Sequence, residues 1–195
     1  MKQQIAIAAA VAALMIGGAF ATQSAPREQT DVEVSNPMVS GEAMLADRAL
    51  MENIAHSPDH TSFAAALRQS GVAKTLAADG DYTVFAPTNA AFAAVKMTAD
   101  KAQLARAMGY LVVRGRYDSQ TLLKDINQGD GQLRLKTIEG GTITAQMNGP
   151  TNIVLMDEKG DSADIAVYDV YQKNGVLQVI DKVLQPAQPS QVAGL

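Results

Sequence analysis

The sequence predicts an α+β domain in which short helices come first and antiparallel strands follow. Between residues 47 and 126 apolar side chains recur at helical spacing, interrupted by extended runs at Tyr82–Ala86 and Tyr110–Val113. From Leu133 onward apolar and polar side chains alternate, as they do in a strand that buries one face. A helical half followed by a meander of strands is typical of an α+β domain with an antiparallel sheet system.

Capping residues predict where the first helices begin and end. Asp47 is suited to cap a short helix, and Ser57 with Pro58 suits the N-cap and first position of the next one. Gly71 follows the last apolar residue of that second helix, and Val72–Leu76 adds one more helical turn. The predicted buried residues of the first two helices are Leu50, Met51, Ile54, Phe63, Ala64 and Leu67.

The helical half continues beyond the first extended run. Thr88 is placed to cap a short helix that runs through Val95, and Lys101–Met108 predicts a further amphipathic helix. Ser119 is then the predicted cap of a helix over Gln120–Ile126.

Glycine-containing turns divide the second half into strands. Glu139–Thr142 reads as a tight hairpin turn, and Asn148-Gly149, Lys159-Gly160 and Asn174-Gly175 give further turn signals. The strands predicted between and after these turns are Thr142–Gln146, Ile153–Met156, Ile165–Val167 and Val176–Val179.

The first residues predict export. Lys2 precedes the apolar run Ile5–Ile16, and Ala19-Phe20-Ala21 has the small-x-small pattern of a signal-peptidase site. The run is shorter than the ~20 residues that a membrane span requires, so no membrane span is expected in the mature chain. We therefore expect a signal peptide at 1–21, cleavage near Ala21, and a periplasmic or secreted protein.

The remaining domain boundaries follow from composition. Residues 22–40 are polar and contain two prolines, which predicts a flexible linker with too few apolar groups to offset its ordering entropy. Residues 41–186 form the predicted domain, and residues 187–195 a disordered tail. A domain of this size buries one hydrophobic core, and no second domain is required.

The charge balance excludes some classes of partner. The chain carries 16 lysines and arginines against 20 aspartates and glutamates, a net charge of −4. Nucleic acids require a clustered basic face, so no nucleic-acid partner is expected. The chain has no cysteine, so its stability must come from burial and backbone pairing rather than from disulfides.

Two segments resemble the two signature stretches of fasciclin (FAS1) domains. The first signature is Tyr82–Phe92, and the second signature is Asn174–Leu184, about ninety residues further along. Between them, Tyr110–Tyr117 occupies the place of the family's central tyrosine-histidine motif, and the similarity covers about Asn36–Pro186. The resemblance implies a FAS1 fold, in which antiparallel sheets form a wedge or sandwich and short helices pack on the N-terminal half.

The family resemblance also implies a function. Fasciclin domains are extracellular adhesion and binding modules, and this chain is similar to the single-domain bacterial members that are secreted or periplasmic. We therefore expect a monomeric binding or adhesion module whose partner is an unknown protein or a polymer of the cell envelope or matrix.

The resemblance further implies a candidate partner-binding site. In animal members, integrin recognition is tied to the tyrosine-histidine region and to an Asp-Ile pair before the second signature. Tyr110 keeps the tyrosine, but Leu111 replaces the histidine and cannot make its hydrogen bond. Asp169 and Val170 stand at the position of the Asp-Ile pair. These four residues are the predicted partner-binding residues, although an integrin role itself is not expected.

The methionine content leaves a second function open. Some family members carry carotenoids, and the nine methionines of this chain supply adaptable apolar surface for an elongated apolar ligand. The same methionines fill a hydrophobic core equally well in a chain that has no tryptophan. The alternative is therefore a periplasmic carrier of an apolar small molecule.

Metal and cofactor sites are not expected. His56 and His60 have the spacing of a zinc pair on a helix, but Pro58 lies between them and interrupts a continuous helix. The acidic run Asp157–Asp164 lacks the alternating ligand positions of a calcium loop and is expected to be a solvated hairpin.

Catalysis is not expected either. The chain has no nucleophile elbow, no phosphate-binding loop and no cysteine nucleophile. A hydrolase would require a cleft that groups Asp169 or Asp181 with a hydroxyl group and a lysine.

Overall fold

The computed structural model describes residues 36–78, 80–97 and 100–187, and within these ranges the chain forms six α-helices, a short 3-10 helix and nine β-strands. The predicted signal peptide at 1–21 lies outside the described residues. Most of the predicted linker and tail also lies outside them. Residues 36–40, at the end of the predicted linker, contain a strand.

Helices dominate the first part of the described chain, and strands dominate the second. The helices are α1 (Leu50–His56), α2 (Thr61–Ser70), α3 (Val72–Leu76), α4 (Asn89–Ala93), α5 (Lys101–Tyr110) and α6 (Ser119–Gln128), with a 3-10 helix at Pro58–His60. The strands are β1 (Met38–Val39), β2 (Glu42–Ala43), β3 (Tyr82–Pro87), β4 (Val112–Arg114), β5 (Gln132–Lys136), β6 (Thr142–Asn148), β7 (Asn152–Met156), β8 (Ser162–Gln172) and β9 (Gly175–Ile180). This order confirms the predicted α+β class.

Seven of the described strands form one sheet in the order β4-β3-β9-β8-β7-β6-β5. Most neighbours are antiparallel, as predicted, but β3 and β9 run parallel, with Val84 beside Leu177. The predicted antiparallel sheet system therefore contains one parallel pair. A parallel pair needs a long connection between its strands, and here α4, α5, α6 and the strands β4 to β8 supply it.

The two outer strands of the sheet meet each other. Val113 of β4 forms an isolated antiparallel bridge with Thr137, just after β5. Beside the bridge, the backbone N–H of Ile138 donates to the carbonyl of Val112 at 2.9 Å. The sheet therefore curls back on itself, in agreement with the predicted wedge of sheets.

The start of α1 corrects one predicted cap. The N-cap position is Ala49, not Asp47, and its side chain makes no capping hydrogen bond. Instead the Leu50 N–H donates to Oδ1 of Asn174 at 2.9 Å. The other end of the same amide donates from Nδ2 to the carbonyl of Leu76 at 2.8 Å. A turn residue of the second signature thus caps α1 and holds the end of α3.

The start of α6 corrects a second cap. Asp118 is the N-cap, and its Oδ1 accepts the Thr121 N–H at 2.8 Å. Ser119 is the first helical residue, and its N–H donates to Oδ1 of Asp169 at 2.7 Å. The cap was therefore predicted one residue too late, because the carboxylate of the residue before Ser119 makes the capping bond.

Other local predictions agree with the structure. Thr88 caps α4 by accepting the Ala91 N–H at 3.2 Å, and Gly71 ends α2 in the left-handed conformation at φ 87°.

The α4 helix ends at Ala93 rather than at the predicted Val95. The α5 helix extends through Tyr110, so the strand predicted from Tyr110 begins later, in β4.

Both signatures supply central strands of the core. Every residue of β3 and of β9 is buried. The buried polar side chains among them are satisfied: Thr83 donates to the carbonyl of Gly115 at 2.7 Å and accepts the Tyr117 N–H at 2.8 Å. Because all residues of these two strands are buried, the residues of the signatures that a partner could contact lie beyond the strand ends.

Candidate functional site

Tyr110 lies in the core and links two turns. Its side chain is 0% exposed, and its hydroxyl donates to the carbonyl of Thr142 at 2.6 Å while accepting the Glu158 N–H at 3.1 Å. Burial raises the pKa of Tyr110, and the carboxylates of Glu158, Asp157 and Glu139 raise it further. The phenol therefore stays protonated and keeps its donor role.

Leu111 and Val170 are also buried. Both are 0% exposed, and the Leu111 carbonyl accepts the Phe85 N–H at 2.9 Å. The strand register aligns Val112 of β4 with Val170 of β8 across the two intervening strands β3 and β9. At a spacing of ~4.8 Å per strand, the two predicted halves of the site are separated by roughly 14 Å.

Asp169 is half-buried and holds the start of α6. It sits in the left-handed region at φ 58°, where the pairing of β8 with β9 is irregular. Its carboxylate accepts the N–H and the hydroxyl of Ser119, and Nε2 of Gln178 at 3.0 Å. Among the four predicted partner-binding residues, Asp169 alone is less than fully buried. A partner-binding role for these four residues remains a prediction.

The parallel pair of strands creates a cleft at one edge of the sheet. The pairing of β3 with β9 ends at Pro87 and Ile180, so both signatures leave the sheet at the same place. The Thr88 N–H donates to the Ile180 carbonyl at 3.4 Å and ties the two exits together. Between these exits and the turn that joins β7 to β8 lies a cleft of about 480 Å³. We call this the signature cleft; its lining residues are Ala91, Ala94, Val95, Gly160, Asp161, Ser162, Asp181, Lys182, Val183, Leu184 and Gln185.

The signature cleft has an apolar floor and a charged rim. Val183 and Leu184 are buried, whereas Asp161, Asp181 and Lys182 are exposed. Asp181 accepts the Asp164 N–H at 2.8 Å, which fixes that rim to β8. Within the described residues, Lys182 and the Asp161 carboxylate form no ion pair. The cleft therefore offers both signs of charge beside apolar surface.

The turn between β7 and β8 is held by its own acidic side chain. Oδ1 of Asp157 accepts the N–H groups of Lys159 and Asp161 at 2.9 and 3.0 Å. Lys159 in turn donates from Nζ to Oε1 of Gln185 at 2.7 Å, across one wall of the signature cleft. In the part of the chain that the structure describes, no group of three histidine, aspartate or glutamate side chains is arranged to hold a metal ion.

The signature cleft contains the residue types that a hydrolase would require. Asp181, Ser162 and Lys182 all line it. However, Asp181 is bonded to a backbone N–H, and no hydrogen bond joins the Ser162 hydroxyl to Asp181 or Lys182 in the described structure. A catalytic nucleophile needs a base within hydrogen-bonding reach. The arrangement fits a binding surface better than a catalytic centre.

The two histidines have separate surroundings. His56 is exposed, and its Nδ1 lies 2.7 Å from the Glu52 carbonyl. His60 is 0% exposed, with Nδ1 2.8 Å from the Ser57 hydroxyl and Nε2 lacking a hydrogen-bond partner of good geometry. Burial lowers the pKa of His60, while Asp59 and the Ala86 backbone act in the opposite direction. His60 is thus a core histidine beside the first signature.

The methionines of the described chain mostly serve the core. Met44 and Met108 are buried, and others pack against the same cluster. Met38, by contrast, has 61% of its surface exposed. No methionine lines the signature cleft. Core packing therefore accounts for the feature that suggested an apolar carrier.

Sequence reasoning missed the signature cleft as a site. Asp181 and Lys182 were read as part of a structural signature, and their exposure depends on the parallel pairing of β3 and β9. A usable signal was present, because Asp181 and Lys182 directly follow a mostly apolar strand, and charged residues there mark the point where the chain leaves the core.

Comparisons with known proteins agree on one family. The family model of the Fasciclin domain matches residues 58–186. The chain is 28% identical over 157 residues to periostin of Homo sapiens, covering 75% of this chain and 17% of periostin. It is 30% identical over 123 residues to transforming growth factor-beta-induced protein ig-h3 of Sus scrofa, covering 63% of this chain and 17% of that protein. The chain thus spans only a small part of these two relatives.

A bacterial relative matches along nearly its whole length. Protein sll1483 of Synechocystis is 25% identical over 181 residues, which covers 88% of this chain and 92% of that protein. Among solved structures, a FAS1 domain pair from the insect cell adhesion molecule fasciclin I aligns with a TM-score of 0.61. That match covers 70% of this chain and 50% of the other at 16% identity, so it supports the fold alone. Within the described residues, no helix is long and apolar enough to cross a bilayer.

Proposed function

The chain belongs to the fasciclin domain family, and from this premise we propose that it is an exported adhesion or binding module that holds its partner at the signature cleft. One observation carries the proposal: the ends of both family signatures, which are otherwise buried, come to the surface together there. Exposed loops on a rigid scaffold are where binding residues concentrate. The partner is a protein segment or a surface polymer that fits this cleft.

The size and charge of the signature cleft support a segment with a basic group. Its volume of about 480 Å³ lies within the ~300–1,000 Å³ that is typical of binding pockets. Asp161 and Asp181 present carboxylates at the rim, and Val95 and Val183 supply apolar contact. A lysine or arginine flanked by an aliphatic side chain would satisfy both features.

Export supports the same role. The predicted signal peptide at Met1–Ala21 would deliver the domain to the periplasm or the cell exterior, where an adhesion module meets its partners.

Retention on envelope fractions tests the proposal. Purified protein is incubated with envelope from its own source, and the bound fraction is compared with that of an unrelated acidic protein. Ala94→Arg narrows the signature cleft from its exposed rim, and Ala65→Arg places the same side chain on the exposed face of α2 as a matched control.

We expect the Ala94 variant to lose at least about tenfold in retention while the Ala65 variant binds like the wild type, because a loss of ~1.4 kcal/mol in binding is tenfold in affinity. Equal retention of both variants, or wild-type retention no higher than that of the acidic control, would contradict the proposal.

A further inference from the structure

A second cleft is lined by β5, β6 and the start of the turn between β7 and β8. It has a volume of about 330 Å³, and every side chain that lines it is polar or charged. We call it the basic groove, after the two cations of β5 on one wall; its lining residues are Arg134, Lys136, Thr142, Thr144, Asp157 and Glu158. It shares no lining residue with the signature cleft.

Two cations stand unpaired on one wall of the basic groove. Arg134 and Lys136 alternate on β5, so they project from the same face at a spacing of about 7 Å. Both are exposed, and neither side chain forms an ion pair or hydrogen bond with another described residue. By contrast, Arg106 pairs with Glu139 at 2.7 Å. The fold pairs an arginine with a carboxylate elsewhere, and leaves these two cations available.

The carboxylates of the basic groove already accept hydrogen bonds from backbone N–H groups. Glu158 accepts the Thr142 N–H through Oε1 at 2.9 Å and the Ala187 N–H through Oε2 at 3.1 Å. Both oxygens of Asp157 likewise accept backbone N–H groups, including that of Gln185 at 3.0 Å. These acids hold turns together, and their geometry is set by the backbone rather than by the cations opposite.

A third cation extends the positive wall. The isolated bridge between Val113 and Thr137 brings Arg114 beside Lys136, where the edges of the sheet meet. Arg114 is exposed, and its guanidinium lies 5.7 Å from the centroid of the Tyr82 ring. Adjacent like charges repel, and this repulsion is relieved when an anion binds between them.

We propose that the basic groove binds an acidic polysaccharide, whose carboxylate or sulfate groups pair with Arg134 and Lys136. A guanidinium matches a carboxylate or sulfate through two parallel hydrogen bonds. The threonine hydroxyls Thr142 and Thr144 lie beside the cations and suit the hydroxyl groups of a sugar.

The composition of the groove favours a polysaccharide over other polyanions. A peptide needs apolar surface for its anchoring side chains, and no apolar side chain lines the groove. Single-stranded nucleic acid is held by stacking on aromatic rings, which the lining also lacks.

Titration calorimetry with defined sugars tests the proposal. The purified protein is titrated with a polygalacturonate dodecamer and, separately, with neutral dextran, at low and at physiological ionic strength. The test variant is R134Q/K136Q. The matched control is R68Q/K74Q, which removes the same charge from exposed positions on α2 and α3. Melting curves of both variants report whether they fold.

We expect the wild type to bind polygalacturonate but not dextran, with an affinity that falls as salt rises. The affinity should drop about tenfold or more in R134Q/K136Q and stay within about twofold in R68Q/K74Q. Equal losses in the two variants, no binding to polygalacturonate, or tighter binding to phosphatidylglycerol vesicles or a polyglutamate peptide would overturn the proposal. If the test variant fails to fold, chemical shifts of the wild type decide: perturbation on β5 and β6 supports the groove, and perturbation elsewhere overturns it.

Discussion

Gly175 lies directly against the carbonyl oxygen of Tyr82, so that a Cβ built on Gly175 would stand 1.9 Å from that oxygen. The two residues are partners in the parallel pairing of β9 with β3. The same Cβ would approach Cδ1 of Leu50 to 2.9 Å. The entry of the second signature into the sheet therefore depends on the absence of a side chain at this position.

Gly175→Ala is expected to destabilise the protein by about 3 kcal/mol, because the new methyl group forces the parallel strand pair apart. The free energy of unfolding in urea measures the effect. Gly140→Ala is the control, since no atom lies within 4 Å of its added Cβ and only its positive φ of 110° is strained. We expect the control to cost about 1 kcal/mol. Equal losses in the two variants would contradict the steric explanation.

Asn174 is expected to stabilise two helix ends at once. Asn174→Ala removes the acceptor of the Leu50 N–H and the donor to the Leu76 carbonyl, at a cost of about 2 kcal/mol in the free energy of unfolding. Asn174→Asp keeps the acceptor and loses the donor, so it should cost less. Urea denaturation of both variants measures the order. An alanine variant as stable as the wild type would show that the amide is not a cap.

Much of the fold was predictable because its signals are local. Thr88 caps the helix that directly follows it, and Gly71 ends the helix that directly precedes it, so each role can be read from neighbouring residues. The start of α1 could not be read in this way, because its capping group is Asn174, which lies 124 residues from Leu50 in sequence. A local cap at Asp47 was the best assignment available without tertiary contacts.

The candidate site was less predictable than the fold. The charged ends of the two signatures form one cleft only because β3 and β9 are parallel, and apolar strands of either orientation have the same sequence pattern. Tyr110 and Val170 were expected at a contact surface, whereas both are completely buried, Tyr110 at the end of α5 and Val170 on β8 beside the central strand β9. The resemblance to the family motif identified these positions, but it did not distinguish residues that pack in the core from residues that contact a partner.

Asp169 provides a test of that distinction. Its carboxylate bonds to Ser119 and Gln178, so Asp169→Ala should release the start of α6 and lower the free energy of unfolding by about 2 kcal/mol. Its backbone lies in the left-handed region, which asparagine tolerates, so Asp169→Asn should retain more stability. Denaturation and envelope retention are measured together. A loss of retention in a fully stable Asp169→Ala variant would show a contact role instead.

The pH dependence of stability is expected to report on His60. Burial lowers its pKa in the folded protein below the ordinary value of 6.5, against the smaller opposing effects of Asp59 and the Ala86 backbone. The unfolded chain therefore binds a proton on His60 before the folded protein does. The contribution of neutral His60 is fully present above pH ~6.5 and is lost as the pH falls through and below that value, by up to ~1.4 kcal/mol per pH unit.

Thermal unfolding between pH 5 and pH 8 measures this dependence, with His60→Gln as the test and His56→Gln as the control. The wild type and the His56 variant should lose stability steeply below pH ~6.5, because protonation of His60 places a charge where Nε2 has no partner of good geometry. The His60 variant should be less stable at pH 8 but flatter in its response, since glutamine does not titrate. Parallel pH profiles for the two variants would mean that the acid sensitivity does not arise at the buried imidazole of His60.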